Sequence, residues 1–235
     1  MKKLTGIGLG PGDPEMITLK ALKALQQADV IYYPATYSES GRVKSFSLEI
    51  LQQLDIRTEF RPLIIPMTDK NRDEIYRKAY QMLKGAMVEG KEVAVVNEGD
   101  LLFYSTFGYL LKMAKADGVE CKVVSGIPAF IAAGSLGHLP IVEGSAGFNL
   151  IARPKSFAQI SQMLQENPDN TLVVMKMKVL TGWYHHLKQC SRPFLYVEKA
   201  GTTDEFVTSN VEDLKDREIP YFSVIMFYSG TMVEG

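Results

Sequence analysis

The chain is predicted to be α/β, with two α/β domains: an N-terminal one with a mostly parallel sheet and a C-terminal one with a mixed sheet. Three observations predict this. Up to Val124, strand-like and helix-like segments alternate, the order that builds a parallel sheet covered by helices. Val93-Ala94-Val95-Val96 is wholly apolar, as expected of a strand buried on both faces. Beyond Pro140 the texture changes to four strand candidates separated by stretches long enough for helices or broad connections. The change of texture sets domains of 1–118 and 119–235.

Leu4 to Leu9 reads as the first strand. Pro14 and Glu15 suit the first turn of the helix after it, because proline there loses no hydrogen bond and an acid meets the positive dipole end. Ile17, Ala21, Leu22, Ala24, Leu25 and Ala28 recur at helical spacing. Val30 to Tyr33 is a strand expected to stop at Pro34. Gly41 to Leu54 reads as helix and Pro62 to Ile65 as extended. Asp69 to Gly85 is helical, with Ile75, Ala79, Met82 and Leu83 on one face. Thr106 to Ala116 is helical and Cys121 to Val124 extended. The later strand candidates are Phe148–Ile151, Thr171–Met175, Phe194–Val197 and Tyr221–Phe227.

Composition narrows the function. An apolar share of 46% allows a packed core, and a formal net charge of -1 gives no broad basic field for nucleic acid. Cys121 and Cys190 form no C-x-x-C, so neither a zinc site nor a disulfide framework is expected, and a reducing, cytoplasmic setting fits. No run approaches membrane-spanning length, so no membrane partner is expected. His138 stands alone, and the adjacent His185 and His186 would point apart on a helix, so no metal is expected. No G-x-S-x-G elbow supports a serine hydrolase.

Three loops carry the chemical signal. Gly6-Ile7-Gly8-Leu9-Gly10-Pro11-Gly12-Asp13 has a glycine at every second position, yet it fails the dinucleotide spacing and lacks the Lys-Ser/Thr of a phosphate loop. It allows close approach of a ligand or of another chain segment. Asn97-Glu98-Gly99-Asp100 follows the buried strand, at the strand end where open α/β sheets bind ligands. Asp100 could accept from hydroxyl or ammonium groups. Ser125-Gly126-Ile127-Pro128-Ala129 also follows a strand, and its small residues suit a flat ligand or tight helix–sheet packing.

In combination and in order, Gly8-Leu9-Gly10-Pro11-Gly12-Asp13-Pro14-Glu15, Thr18-Leu19-Lys20-Ala21, Glu98-Gly99-Asp100 with Phe103, and Gly126-Ile127-Pro128-Ala129 resemble the tetrapyrrole (corrin/porphyrin) methyltransferase family over nearly the whole chain. Within it, Ile65-Pro66-Met67-Thr68-Asp69, Gly99 to Phe107, Pro220-Tyr221-Phe222-Ser223 and the Tyr32-Tyr33-Pro34…Gly41-Arg42 segment are most similar to the precorrin-2 / cobalt-factor II C20-methyltransferases of cobalamin biosynthesis. The resemblance implies S-adenosylmethionine as co-substrate, folded into a cleft between the two domains, a tetrapyrrole substrate and a homodimer. Carried over by position, the donor would meet Pro11, Gly99, Asp100, Phe103, Pro128, Ala129, Met175, Lys176, Ala200, Thr202 and Tyr221. A proton must leave the methylated carbon or an adjacent site, and the resemblance names no residue as its acceptor. Leu101 and Ser125 stand where prolines are usual, and Pro128 where a hydroxyl residue is common. Arg42, Lys44, Arg153, Lys155, Lys176 and Lys178 are candidates to hold substrate carboxylates.

Rival readings are weaker on residues. A Rossmann-like methyltransferase or a nicotinamide enzyme wants an acid ending the second strand, and Ile31-Tyr32-Tyr33-Pro34 supplies none. A non-catalytic tetrapyrrole-binding descendant, another ring position, or the modified histidine of the diphthine synthase branch remain as alternatives.

Overall fold

The computed structural model describes residues 3–38, 40–66 and 71–229. The chain forms two compact units, 1–128 and 129–235. The first unit thus extends ten residues past the expected boundary at 118. The reason is pairing: the strand Cys121–Val124 hydrogen-bonds to Leu4–Gly8 in the first sheet, so the chain cannot leave that unit before it.

The first unit contains β1 (Leu4–Gly8), α1 (Leu19–Gln26), β2 (Val30–Tyr37), β3 (Val43–Lys44), α2 (Phe46–Leu51), β4 (Glu59–Ile64), α3 (Arg72–Val88), β5 (Val93–Asn97), α4 (Phe107–Ala116) and β6 (Cys121–Val124). The parallel order is β4-β2-β5-β1-β6, and β3 adds a short antiparallel pair at the end of β2. Every residue of β5 is buried, as its apolar run requires of a central strand. One core cluster packs Tyr76, Leu83, Phe107 and Leu110 of α3 and α4 against the sheet. The other packs Leu25, Ile50 and Leu51 of α1 and α2 against it.

Several local expectations change. β2 runs through Pro34 instead of stopping there. Its pairing with β5 ends at Tyr32, and the Pro34 carbonyl accepts from the Ser45 hydroxyl, while Ala35 bonds Ile65 on the β4 side. The missing proline N–H therefore costs no ladder bond. Pro14–Met16 is a separate 3-10 turn, capped by Asp13, and α1 begins afterwards behind the Thr18 cap. The helix expected over 41–54 is broken by β3 and starts only at Phe46, capped by Ser45. The expected helix start at Asp69, with Met67 and Thr68 of the neighbouring motif, lies outside the described residues.

The second unit contains α5 (Ala129–Leu136), β7 (Phe148–Ala152), α6 (Phe157–Glu166), β8 (Thr171–Met175), α7 (Trp183–Gln189), β9 (Phe194–Glu198), β10 (Phe206–Thr208) and β11 (Ser223–Phe227). Its sheet has the order β10-β9-β11-β8-β7, with only β7 and β8 parallel among paired strands. The four expected strands are present. β10, three residues long, carried no readable period. Trp183 is buried in this core and donates from Nε1 to the Met177 carbonyl.

Candidate active site

In the first unit, β1 lies between β5 and β6, and all three run the same way. Their carboxyl ends therefore deliver the three glycine-bearing loops to one place. The first two loops are zipped by backbone: Leu9 N–H donates to the Asn97 carbonyl at 2.9 Å, and Gly10 and Gly99 exchange bonds of 3.3 and 2.7 Å. Gly10 and Gly99 both have positive φ, 83° and 65°, which glycine adopts without Cβ strain. The third loop packs still closer. A Cβ on Gly126 would stand 2.2 Å from the Gly99 carbonyl oxygen, and one on Gly8 would stand 2.5 Å from the Gly126 nitrogen. At Gly8 and Gly126, then, backbone packs on backbone.

Asp100 ties this junction. Its Oδ1 accepts from Leu102 N–H at 2.8 Å and its Oδ2 from Gly126 N–H at 3.1 Å, so one carboxylate joins the second loop to the third. Each oxygen retains a lone pair for a further donor. Beneath the loops, buried Asn97 accepts from the Thr106 hydroxyl at 3.4 Å, and Glu98 accepts from the buried Ser47 hydroxyl at 2.9 Å. Pro11 is buried, Phe103 half-buried with Tyr104 edge-on at 5.0 Å, and Pro128 ends the unit. The structure thus gathers Pro11, Gly99, Asp100 and Phe103 with the 126–128 loop. Ala129 opens α5 as the first residue of the second unit.

In the second unit, Met175 ends β8 and Lys176 follows with φ 55°. The Lys176 ammonium lies 5.9 Å from the centre of the Tyr221 ring, which itself meets Phe222 edge-on at 5.1 Å. Ala200 is buried in the turn after β9. The Thr202 hydroxyl is engaged in that turn, donating to the Lys199 carbonyl at 2.8 Å and accepting from Asp204 N–H at 3.3 Å. Gly201 N–H donates to Glu205 at 2.6 Å. Met175, Lys176, Ala200, Thr202 and Tyr221 therefore all sit at one end of the second sheet.

Supporting that end is a network the sequence did not reveal. Buried Glu198 accepts two bonds from Arg217, at 2.7 and 2.8 Å, and one from the Tyr196 hydroxyl at 2.5 Å. The Glu198 carboxylate raises the Arg217 pKa, and burial followed by the same carboxylate raises that of Tyr196. The Arg217 guanidinium also lies 3.6 Å from the Phe206 ring centre. No sequence period links residues so far apart, though an acid inside an apolar strand, Phe194-Leu195-Tyr196-Val197-Glu198, is a sign that a buried partner exists.

Of the other candidates, Arg42, Lys44, Arg153, Lys155 and Lys178 are exposed, and Lys178 pairs with Glu218 at 3.1 Å. His186 stacks on Phe157 at 4.4 Å, and burial lowers its pKa. Among the described residues, no group of three or more His, Cys, Asp or Glu could hold a metal, and no helix is long and apolar enough to cross a membrane.

The comparisons agree with this architecture. Residues 3–215 match the family described as Tetrapyrrole (Corrin/Porphyrin) Methylases. A precorrin-2 C(20)-methyltransferase of Sinorhizobium sp is 32% identical over 95% of this chain and 94% of its own. A probable cobalt-precorrin-2 C(20)-methyltransferase of Methanocaldococcus jannaschii is 32% identical over 77% and 74%. Among solved structures, a cobalt precorrin-4 methyltransferase superposes with a TM-score of 0.71, at 24% identity and covering 96% and 94% of the two chains. A uroporphyrin-III C-methyl transferase from Thermus thermophilus, complexed with S-adenosylhomocysteine, gives 0.66 at 22% identity over 96% and 97%. The chain belongs to the tetrapyrrole (corrin/porphyrin) methylase family, and is an S-adenosylmethionine-dependent tetrapyrrole methyltransferase.

Proposed function

We propose that this enzyme methylates C20 of precorrin-2 or of its cobalt form, cobalt-factor II, in cobalamin biosynthesis, acting as a homodimer. The observation that carries the reading is the pair of C20-methyltransferases at 32% identity, one of them matched along nearly its full length.

The donor's methyl is activated by its sulfonium, so the protein need not supply a covalent nucleophile. Its own residues bind, orient and exclude water, and alignment alone contributes roughly 7–11 kcal/mol of barrier reduction. The first-unit junction suits such a task because its shape is set by backbone: Gly8, Gly99 and Gly126 lock the loops, and each Asp100 oxygen retains a lone pair beyond the bond it already accepts. Pro11, Phe103 and Pro128 add rigid apolar surface beside it. On the second unit, Met175, Ala200, Thr202 and Tyr221 are the donor candidates, with the Lys176 ammonium beside Tyr221. Pro128 brings no hydroxyl to the donor, so contacts there are apolar or through backbone.

The test is incubation with precorrin-2 and with cobalt-factor II, each with isotopically labelled S-adenosylmethionine, followed by NMR. Label at C20 is the expected result. Label at another ring carbon overturns the C20 assignment.

A further inference from the structure

The second sheet ends in a row of cations held in an unusual backbone state. β11 is antiparallel to both β8 and β9, and β7 is parallel to β8, so β7, β8 and β9 all point the same way. Each is followed at once by a basic residue: Arg153 after β7, Lys176 after β8 and Lys199 after β9. All three have left-handed φ, of 57°, 55° and 45°. The register places them side by side. Ala152 pairs with Met175, Met175 with Val224, and Val224 with Val197, so Arg153 and Lys176 are level and Lys199 is one residue further on. Strand spacing then sets Arg153 about 5 Å and Lys199 about 10 Å from Lys176 along the edge.

A left-handed residue with a Cβ is disfavoured, and glycine or asparagine would serve a plain strand-ending turn better. Three long cations at three equivalent turns call for another reason, and an observed outlier of this kind points toward function. Among the described residues, the acids near the row are engaged elsewhere or pair with Lys199, and none pairs with Arg153. Glu198 is occupied by Arg217 and Tyr196, and Glu205 by Gly201 N–H. Asp204 neutralises Lys199 at 2.7 Å. Lys176 lies against Tyr221. Arg153 is exposed, with no side-chain partner among the described residues.

We infer that this edge grips the carboxylates along one side of the tetrapyrrole, with Arg153 as the residue that selects for them, Lys176 beside it and Lys199 held in reserve by Asp204. The inference rests on the methyltransferase reading above but not on which carbon is methylated. An early tetrapyrrole is an organic polyanion, and a guanidinium matches a carboxylate through two parallel bonds.

The test compares wild type with R153A, R153G and R153K. The probes are uroporphyrin III, which bears an acetate and a propionate on every ring, and coproporphyrin III, in which the acetates are methyls. Affinities are read by fluorescence quenching, and the affinity for S-adenosylhomocysteine by calorimetry. We expect R153A and R153G to weaken uroporphyrin by about fivefold or more and coproporphyrin less, with S-adenosylhomocysteine unchanged and R153K recovering part of the loss. R153G should also melt higher, because glycine relieves the left-handed turn, so binding and stability move in opposite directions. Uroporphyrin affinity within about twofold of wild type in both R153A and R153G overturns the inference. Label found away from C20, with the porphyrin affinities shifted as expected, overturns only the C20 assignment.

Discussion

The two halves of the chain carry their candidate residues in opposite ways. In the first unit the carboxyl ends of three parallel strands meet through backbone, with glycines where a Cβ would collide and one carboxylate as a tie. In the second, the co-directed ends of β7, β8 and β9 present charged side chains, anchored below by the Glu198–Arg217–Tyr196 network. That contrast locates the weakness of each half. The first should fail on added volume, the second on removed charge.

The largest effect is expected at Gly126. The Cβ of G126A would fall 2.2 Å from a carbonyl oxygen and 2.8 Å from the Gly8 carbonyl carbon, and neither is the flexible end of a side chain. The loops must part, at about 3 kcal/mol or more of stability, and S-adenosylhomocysteine affinity should fall with them. Denaturant unfolding and calorimetry check both. G85A in α3 supplies the opposite sign: nothing lies within 4 Å of its Cβ, and replacing a mid-helix glycine should stabilise by about 0.5–1 kcal/mol. Equal outcomes at the two positions would break the claim that close backbone packing governs the first half.

In the second half the matching change is E198Q. The volume is kept while the buried carboxylate is lost, leaving Arg217 without its counter-ion. Breaking a fully buried pair costs about 3–5 kcal/mol, but the Arg217 side chain is 34% exposed, so about 2 kcal/mol is expected here. Urea unfolding of E198Q, R217M and the double variant measures the coupling. An additive double variant would show that the network is not the anchor.

Much of this was legible in the sequence. The wholly apolar run 93–96 announced a central parallel strand, and the three glycine-bearing loops did follow strands β1, β5 and β6. Other features left no local trace. Pro34 reads as a strand breaker unless one knows that β5 has already parted from β2 and that Ser45 covers its carbonyl. Gly126 reads as room for a flat ligand or for tight helix–sheet packing, but that the space is filled by the backbone of Gly99 and Gly8, segments distant in sequence, left no local sign. The left-handed turns at Arg153, Lys176 and Lys199 were invisible because φ in a non-glycine residue is set by the tertiary frame. Asp100 reads as an acceptor for hydroxyl or ammonium groups, and the structure adds that both its oxygens already accept from backbone N–H groups.

That last point gives the smallest and sharpest prediction. In D100N only one side-chain oxygen can accept, so either Leu102 N–H or Gly126 N–H loses its partner, whichever way the amide turns. The loss should cost about 1–2 kcal/mol of stability, less than G126A, because the loops remain packed. Its effect on the donor separates two roles. If Asp100 only ties the second loop to the third, S-adenosylhomocysteine affinity falls in D100N and in D100A by no more than each variant's own stability loss predicts. If its remaining lone pairs also hold the donor's hydroxyl or ammonium groups, affinity falls well beyond that in D100A while D100N keeps part of it, since the amide oxygen still accepts. The second pattern would make the first half a site of backbone shape with one charged contact, narrowing its contrast with the cation row of the second.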